Sequence, residues 1–290
     1  MTSTSFEHGA QLADQVASAT GADPGDRLLH TRGVWAAGEF TPSANAASMS
    51  AAEVFAEAGT PATVRFSSTL GGPGGHDGDP SDHGMAVRIG GLDLVMFTLP
   101  VFFARTGADM VEFLRAANSP DPSSAVPAFV ARHPEAAAAL GLAQQARPAA
   151  GFTGLAYHSV HAFGLVDAAS TTRWARLGWR PHRPFEPLAP EEARSRPSDY
   201  LGTGLPGELP AHFDLVAHLP AARDDVHDPT RLWSSEQTVT LGILTLDRAE
   251  APDVEPGFDP LRLPEGVAAP LDRLASDRSA AYAAARRRRG

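Results

Sequence analysis

Apolar and polar positions alternate with period two along much of this chain, the signature of strands with one face buried. Residues 62–67, 85–89 and 92–97 follow that pattern, and it returns at 157–166, 173–179, 213–219 and 239–246. Residues 27–40 read as extended chain interrupted by glycine. Helical character is confined to fewer places. Residues 1–25 predict a helix followed by an arm, and 50–57 a short helix capped by Ser50 with Glu53 three positions on, as in a capping box. Residues 107–117, the Ala-rich 134–145 and the Ala- and Arg-rich 277–289 complete the set. Proline is dense at 181–210 and 252–270, which read as long connections wrapping the core. No internal repeat is seen. The expected class is α+β, with an antiparallel sheet or closed barrel, helices mainly in the middle and at the ends, and a single domain over residues 1–290.

Composition removes whole classes of chemistry. The chain has 290 residues and no cysteine, which excludes thiolate nucleophiles, iron–sulfur clusters, thiolate-ligated haem and thiolate zinc. All 24 basic residues are arginine, so a Walker lysine and a Schiff-base lysine are excluded as well. A net charge of −10 argues against non-specific binding to nucleic acid or an anionic membrane surface. The first residues, MTSTSFEHGAQLADQ, have neither a basic start nor an apolar run, and no segment approaches a membrane span. A cytoplasmic protein is expected.

Three groups of residues suggest chemistry. The Gly-rich loop at 71–84 holds His76, Asp77, Asp79, Asp82 and His83, but it lacks the spacing of an EF-hand or a phosphate loop and reads as a hairpin loop with solvated charges. His158 and His161 would point to opposite faces of one strand, a poor metal pair, and His161 is expected to share a face with Tyr157 and Phe163 as a satisfied core histidine. Arg278 and Tyr282 lie four apart on a helical segment and share a face. That pair is either a surface contact or a phenol whose ionised form is favoured by a neighbouring cation.

The ordered motifs resemble the catalase superfamily. RLLHTRGVWAAGEF, from Arg27, is similar to the segment carrying the family's active-site histidine, and TPATVRFSS to its PxxVRFS strand. DLVMFTLPVFFART resembles DLVxNNxPxFFxRD, AFVARHP the segment of the distal Phe, and YHSVHAFGLVDA the strand ending SHTFKLVN. DPTRLW, VTLGILTL and FDPLRLPEG follow in the family's order, and DRSAAYAAARRRRG keeps the Arg-x-x-x-Tyr spacing of its haem-binding helix. The likeness spans residues 27–289 and points to the small catalase-related peroxidase group, without the long N-terminal arm and C-terminal helical domain of full catalases.

The resemblance implies a catalase-like core, a closed antiparallel barrel of about eight strands surrounded by helices and wrapping loops, holding haem b through a ligand helix at 277–289. It implies catalytic roles for His30 as distal base, Ser67 as the hydroxyl orienting it, and Thr98 in place of the family's peroxide-positioning Asn. Arg27, Arg65 and Arg289 match arginines that hold propionates, Phe129 the distal aromatic and Phe258 a proximal one. Tyr282 matches the iron ligand and Arg278 its partner. The expected activity is reduction of hydrogen peroxide or organic hydroperoxides by a small organic donor, with weak catalase turnover, in a chain that forms a homodimer. The alternatives are a fatty-acid hydroperoxide isomerase or dehydratase of the allene-oxide-synthase type, and a haem-binding or sensing barrel with little turnover.

Overall fold

A computed structural model describes residues 3–23, 25–68, 75–79 and 82–289. Its centre is a closed antiparallel barrel of eight strands, made of two four-stranded meanders. The first comprises β1 (Gly33–Pro42), β2 (Thr60–Ser68), β3 (His83–Ile89) and β4 (Leu92–Phe97). The second comprises β5 (Tyr157–Val166), β6 (Thr172–Pro181), β7 (Ala211–His218) and β8 (Thr238–Arg248). β1 pairs with β8, and β4 meets β5 where Phe97 faces His158, which closes the ring. A short β9 (Val267–Ala268) pairs with the far end of β5.

The period-two pattern explains the barrel. Val64 and Phe66, Met85 and Val87, Leu94 and Met96, Leu177 and Trp179, and Phe213 and Leu215 all point inward and form one apolar core. Alternate residues must then face outward. On β2, β3 and β4 the outward positions are Arg65 and Ser67, Gly84 and Ala86, and Val95 and Phe97, aligned across the strands as Arg65↔Ala86↔Val95 and Ser67↔Gly84↔Phe97. That outer face is where the helices pack.

Helix α1 (Ser3–Thr20) lies against the last helix, and α2 (Ala46–Met49) is a single turn. Helices α3 (Gly107–Ala117), α4 (Pro122–Arg132) and α5 (Ala137–Gln144) link the two meanders, α6 (Pro190–Ser195) and α7 (Tyr200–Glu208) precede β7, and α8 (Arg273–Arg288) ends the chain. Leu12 and Val16 of α1 join Val111 and Leu114 of α3 in a second apolar cluster. Buried Asp277 of α8 ties the three helices, accepting hydrogen bonds from the Gly107 amide, His8 and Arg273. No helix among the described residues is long and apolar enough to cross a membrane.

Local expectation and structure part company in several places. Ser50 does not open a helix. It ends α2, and its hydroxyl accepts from the Ala52 amide and donates to the Gly266 carbonyl. Glu53 therefore starts only a 3-10 turn, Glu53–Phe55, because burial of Val54 and Phe55 in the core outweighs the capping preference. The proline-dense 181–210 stretch contains α6 and α7, with Pro190 in the first turn of α6, where no amide is needed. Helix α4, not expected from the pattern, is capped by Asp121 despite the internal Pro127. Much of the Gly-rich loop lies outside the described residues. Of the described charges Asp77 is not solvated, being buried and accepting from Arg32, Ser68 and the Leu201 amide, whereas Asp79 is half-exposed beside Arg194. Among the described residues no group of three or more His, Asp or Glu is placed to hold a metal ion.

Candidate active site

A cavity of about 280 Å³ lies on the outer face of β2–β4, under α1, α3 and α8. One wall is the cross-strand row Ser67, Gly84 and Phe97 with His30 laid over it. Ser67 Oγ is 3.0 Å from His30 Nδ1. The Phe97 ring is 5.5 Å from the imidazole, tilted by 34°. Gly84 lies directly beneath, so close that a Cβ there would stand 2.9 Å from His30 Cε1 and Nδ1. His30 precedes β1 in a left-handed backbone conformation, φ 55°, which a non-glycine residue holds only when its surroundings enforce it. Arg65 supplies part of that enforcement by donating from Nη2 to the His30 carbonyl at 2.9 Å. Burial, then the nearby Arg65 and Arg278 charges, lower the His30 pKa to about 3, so the imidazole is neutral at pH 7.

Helix α8 builds another wall. It presents Arg278 and Tyr282 to the cavity, one turn apart, with the Arg278 guanidinium carbon 5.9 Å from the Tyr282 ring centre. Arg278 is itself held from behind. Its Nη1 donates to His161 Nε2 at 2.7 Å, and His161 Nδ1 lies 2.9 Å from Asp272 Oδ2. Guanidinium has no acceptor, so Nε2 must accept; Nδ1 then carries the proton and donates it to the carboxylate. The histidine is neutral: burial lowers its pKa despite the carboxylate beside it. Burial is the largest single influence and pushes the Asp272 carboxyl up, but the contacts with His161, the Ala275 amide and the nearby Arg278 charge together bring the pKa below the usual value. Arg278 Nη2 is buried with no acceptor among the described residues.

A third edge is cationic. Arg27, Arg65, Arg286 and Arg289 all line the cavity. Arg27 pairs with the exposed Glu255 at 2.9 Å. Burial, followed by repulsion from Arg27, lowers the Arg65 pKa to about 10, and the same two causes lower that of Arg289. Phe258, stacked on Trp35 at 6.0 Å, closes this edge.

A catalase family model matches residues 8–201, two thirds of the sequence. The chain belongs to the catalase family. It is 30% identical to the catalase-related peroxidase of Mycolicibacterium paratuberculosis over 94% of its own length and 92% of that protein. A catalase-related peroxidase of Synechococcus elongatus is 27% identical over 93% of this chain and 86% of its own. The fold is that of a solved bacterial catalase, with TM-score 0.81 and 22% identity, covering 96% of this chain and 60% of the catalase. The chain thus spans under two thirds of that catalase but nearly all of the two peroxidases.

For a catalase-family chain most expected positions converge: His30, Ser67, Arg27, Arg65, Phe258, Arg278, Tyr282 and Arg289 line one cavity. Two do not, and both expectations are corrected. Thr98 follows β4 and does not line the cavity; its hydroxyl donates to Asp82 at 2.5 Å and accepts from the His83 amide. The outward position beside His30 belongs to Phe97, because Val95 and Phe97 share the strand face opposite to Leu94 and Met96. Phe129 is fully buried behind the wall, stacked on His133 at 4.4 Å and edge-on to Phe113, and it is Phe113 that reaches the cavity. His161 does not share the inward face of Tyr157 and Phe163: the β5–β6 register shifts between His158 and Ala162, and the imidazole turns to α8. His161 is a satisfied buried histidine as expected, but no sequence signal marks its placement behind Arg278 or the parts played by Asp272, Phe97 and Gly84.

The cofactor implied by the family is haem b, and the residues fit it. Arg278, whose buried Nη2 has no acceptor among the described residues, has its guanidinium beside Tyr282, and tyrosine is the iron-ligand type of catalases. Arg27, Arg65 and Arg289 crowd one edge with Glu255 as the counter-charge, a surplus that suits two carboxylates. Between these ends the lining is largely apolar, as a flat macrocycle requires.

Proposed function

We propose that this chain is a haem-dependent peroxidase that reduces hydrogen peroxide or organic hydroperoxides with a small organic electron donor, and has only weak catalase activity. The observation that carries the reading is one cavity with a neutral, oriented imidazole on one wall and a guanidinium-backed phenol on another. Tyr282 would ligate the iron, Arg27, Arg65 and Arg289 would pair with the propionates, and Phe258 would pack against the ring edge. When bound, haem supplies the two-electron redox chemistry, and the protein supplies placement and electrostatics.

His30 handles the proton. In the tautomer whose Nδ1–H donates to Ser67, Nε2 is the accepting nitrogen. It takes a proton from one peroxide oxygen and returns it to the other, acting as base and then acid. With a pKa of about 3 the imidazolium is a poor resting state, which favours immediate return of the proton over storage. Overall ROOH takes up two electrons and two protons from the donor and leaves as ROH and water. Arg278, held by His161 and Asp272, fixes a guanidinium beside the Tyr282 ring.

The test is the visible spectrum of the purified protein and of two variants, with stopped-flow mixing against peroxide. Tyr282→Phe is expected to lose haem. His30→Ala is expected to keep it and react with peroxide at least 100-fold more slowly. A colourless wild-type protein that does not take up added haemin, or a His30→Ala variant of unchanged reactivity, would overturn the proposal.

A further inference from the structure

We infer that Phe97 sets the specificity of this site, and that the peroxide it takes is an organic hydroperoxide with an apolar alkyl or aryl substituent. The inference rests on the peroxidase reading above and names its substrate class. Phe97 is the outward aromatic residue beside the working imidazole, and its ring also lies 4.9 Å from the Arg278 guanidinium carbon. It lies beside both His30 and Arg278 and fills space next to each. The apolar surface does not end there. Phe97 meets Phe102 at 6.0 Å, Phe102 stacks on Phe103 at 4.4 Å, and Phe103 meets Phe113 at 4.3 Å, so four rings run from the imidazole out to α3.

Two polar groups near His30 are already engaged. Ser67 is bonded to His30, and the Asp82 carboxylate accepts from the Thr98 hydroxyl and from the Thr98 and Leu99 amides. Hydrogen peroxide carries two hydroxyls, and one of them must lie against phenyl with its hydrogen bonds to water lost. A hydroperoxide ROOH carries one hydroxyl, directed to His30, and its R group gains contact with the Phe97 ring. It is reduced to ROH and water by two electrons and two protons from the organic donor. Apolar contacts of one or two carbons discriminate by about 10–200-fold in kcat/KM, so a contact the size of phenyl is enough to set the preference.

The experiment compares kcat/KM for cumene hydroperoxide and hydrogen peroxide, with one donor, in the haem-loaded wild-type protein, Phe97→Asn and Phe97→Leu. The wild-type protein is expected to favour cumene hydroperoxide at least tenfold. Phe97→Asn should cut that ratio at least tenfold with haem content unchanged, and Phe97→Leu should keep most of it. A second readout needs no turnover: cumyl alcohol, the unreactive product, should raise the Tm of wild-type protein and of Phe97→Leu but not of Phe97→Asn. If Phe97→Asn does not fold, Phe97→Ala is read in its place with the same expectation. Equal ratios in wild-type and variant, or equal Tm shifts, overturn the inference. A preparation that turns over neither peroxide overturns the peroxidase reading instead, while the Tm shifts still decide whether Phe97 selects an apolar ligand.

Discussion

A single missing methyl group lets the imidazole lie where it does. An added Cβ at Gly84 would meet His30 Cε1, His30 Nδ1 and Ser67 Oγ, each at 2.9 Å, and contacts that short must be relieved by movement. What can move is the imidazole and the Ser67 hydroxyl that orients it, since the backbones of Ser67 and Gly84 are fixed by the ladder. Gly84→Ala should therefore fold and bind haem, yet react with peroxide about 100-fold more slowly, the usual cost of displacing a reacting group by an ångström. Stopped-flow rates with haem content held equal would check it, and a rate within twofold of wild type would show that the imidazole does not depend on this platform.

Helix α8 carries two functions through one residue. Asp272 caps the helix by accepting from the Ala275 amide, and its other oxygen holds His161, which holds Arg278. Cap loss alone costs about 0.5–2 kcal/mol. Stranding a buried imidazole adds about 1–3 kcal/mol. Asp121 of α4 is an exposed cap with no such second partner, accepting from Ser123 and the Ser124 amide. Asp272→Ala is accordingly expected to lower the urea-unfolding free energy more than Asp121→Ala, by at least 1 kcal/mol. Equal losses would mean that the His161 contact adds nothing to stability.

For the molecule as a whole, buried histidines decide the response to acid. Burial, the largest cause in each case, lowers His30 to about 3 and His83 and His158 to about 4, from an ordinary 6.5. Between pH 6.5 and about 4 the unfolded chain binds protons that the folded chain refuses, so stability falls as pH falls. Asp82 runs the other way: burial raises it from 3.8 to about 6, which favours the folded state as it is protonated. His161 and Asp272, both also lowered, act in the same direction as the three histidines and against Asp82, and the net effect is loss. The urea midpoint should drop between pH 7 and pH 4.5, with a loss on the order of several kcal/mol. A midpoint that holds or rises would show that these imidazoles are not neutral in the folded protein.

Local information was enough for the barrel strands, since period-two burial is a property of each strand and appears in the sequence wherever one face meets the core. It was enough for α8, whose Arg278–Tyr282 spacing is one helical turn, and the ordered motifs singled out His30, Ser67 and the arginines that the cavity gathers. What local information could not settle was which of two neighbours faces the cavity. Phe97 and Thr98 differ by one position, and only the pairing of β4 with β3 decides their faces. The same holds for Phe129, placed behind Phe113 by the packing of α4 on α3. His161 and Asp272, 111 residues apart, meet because a register shift in β5 turns the imidazole toward α8. Strand periodicity is written in neighbouring side chains, whereas the facing of a residue at a strand end and the meeting of distant groups follow from how the whole sheet closes.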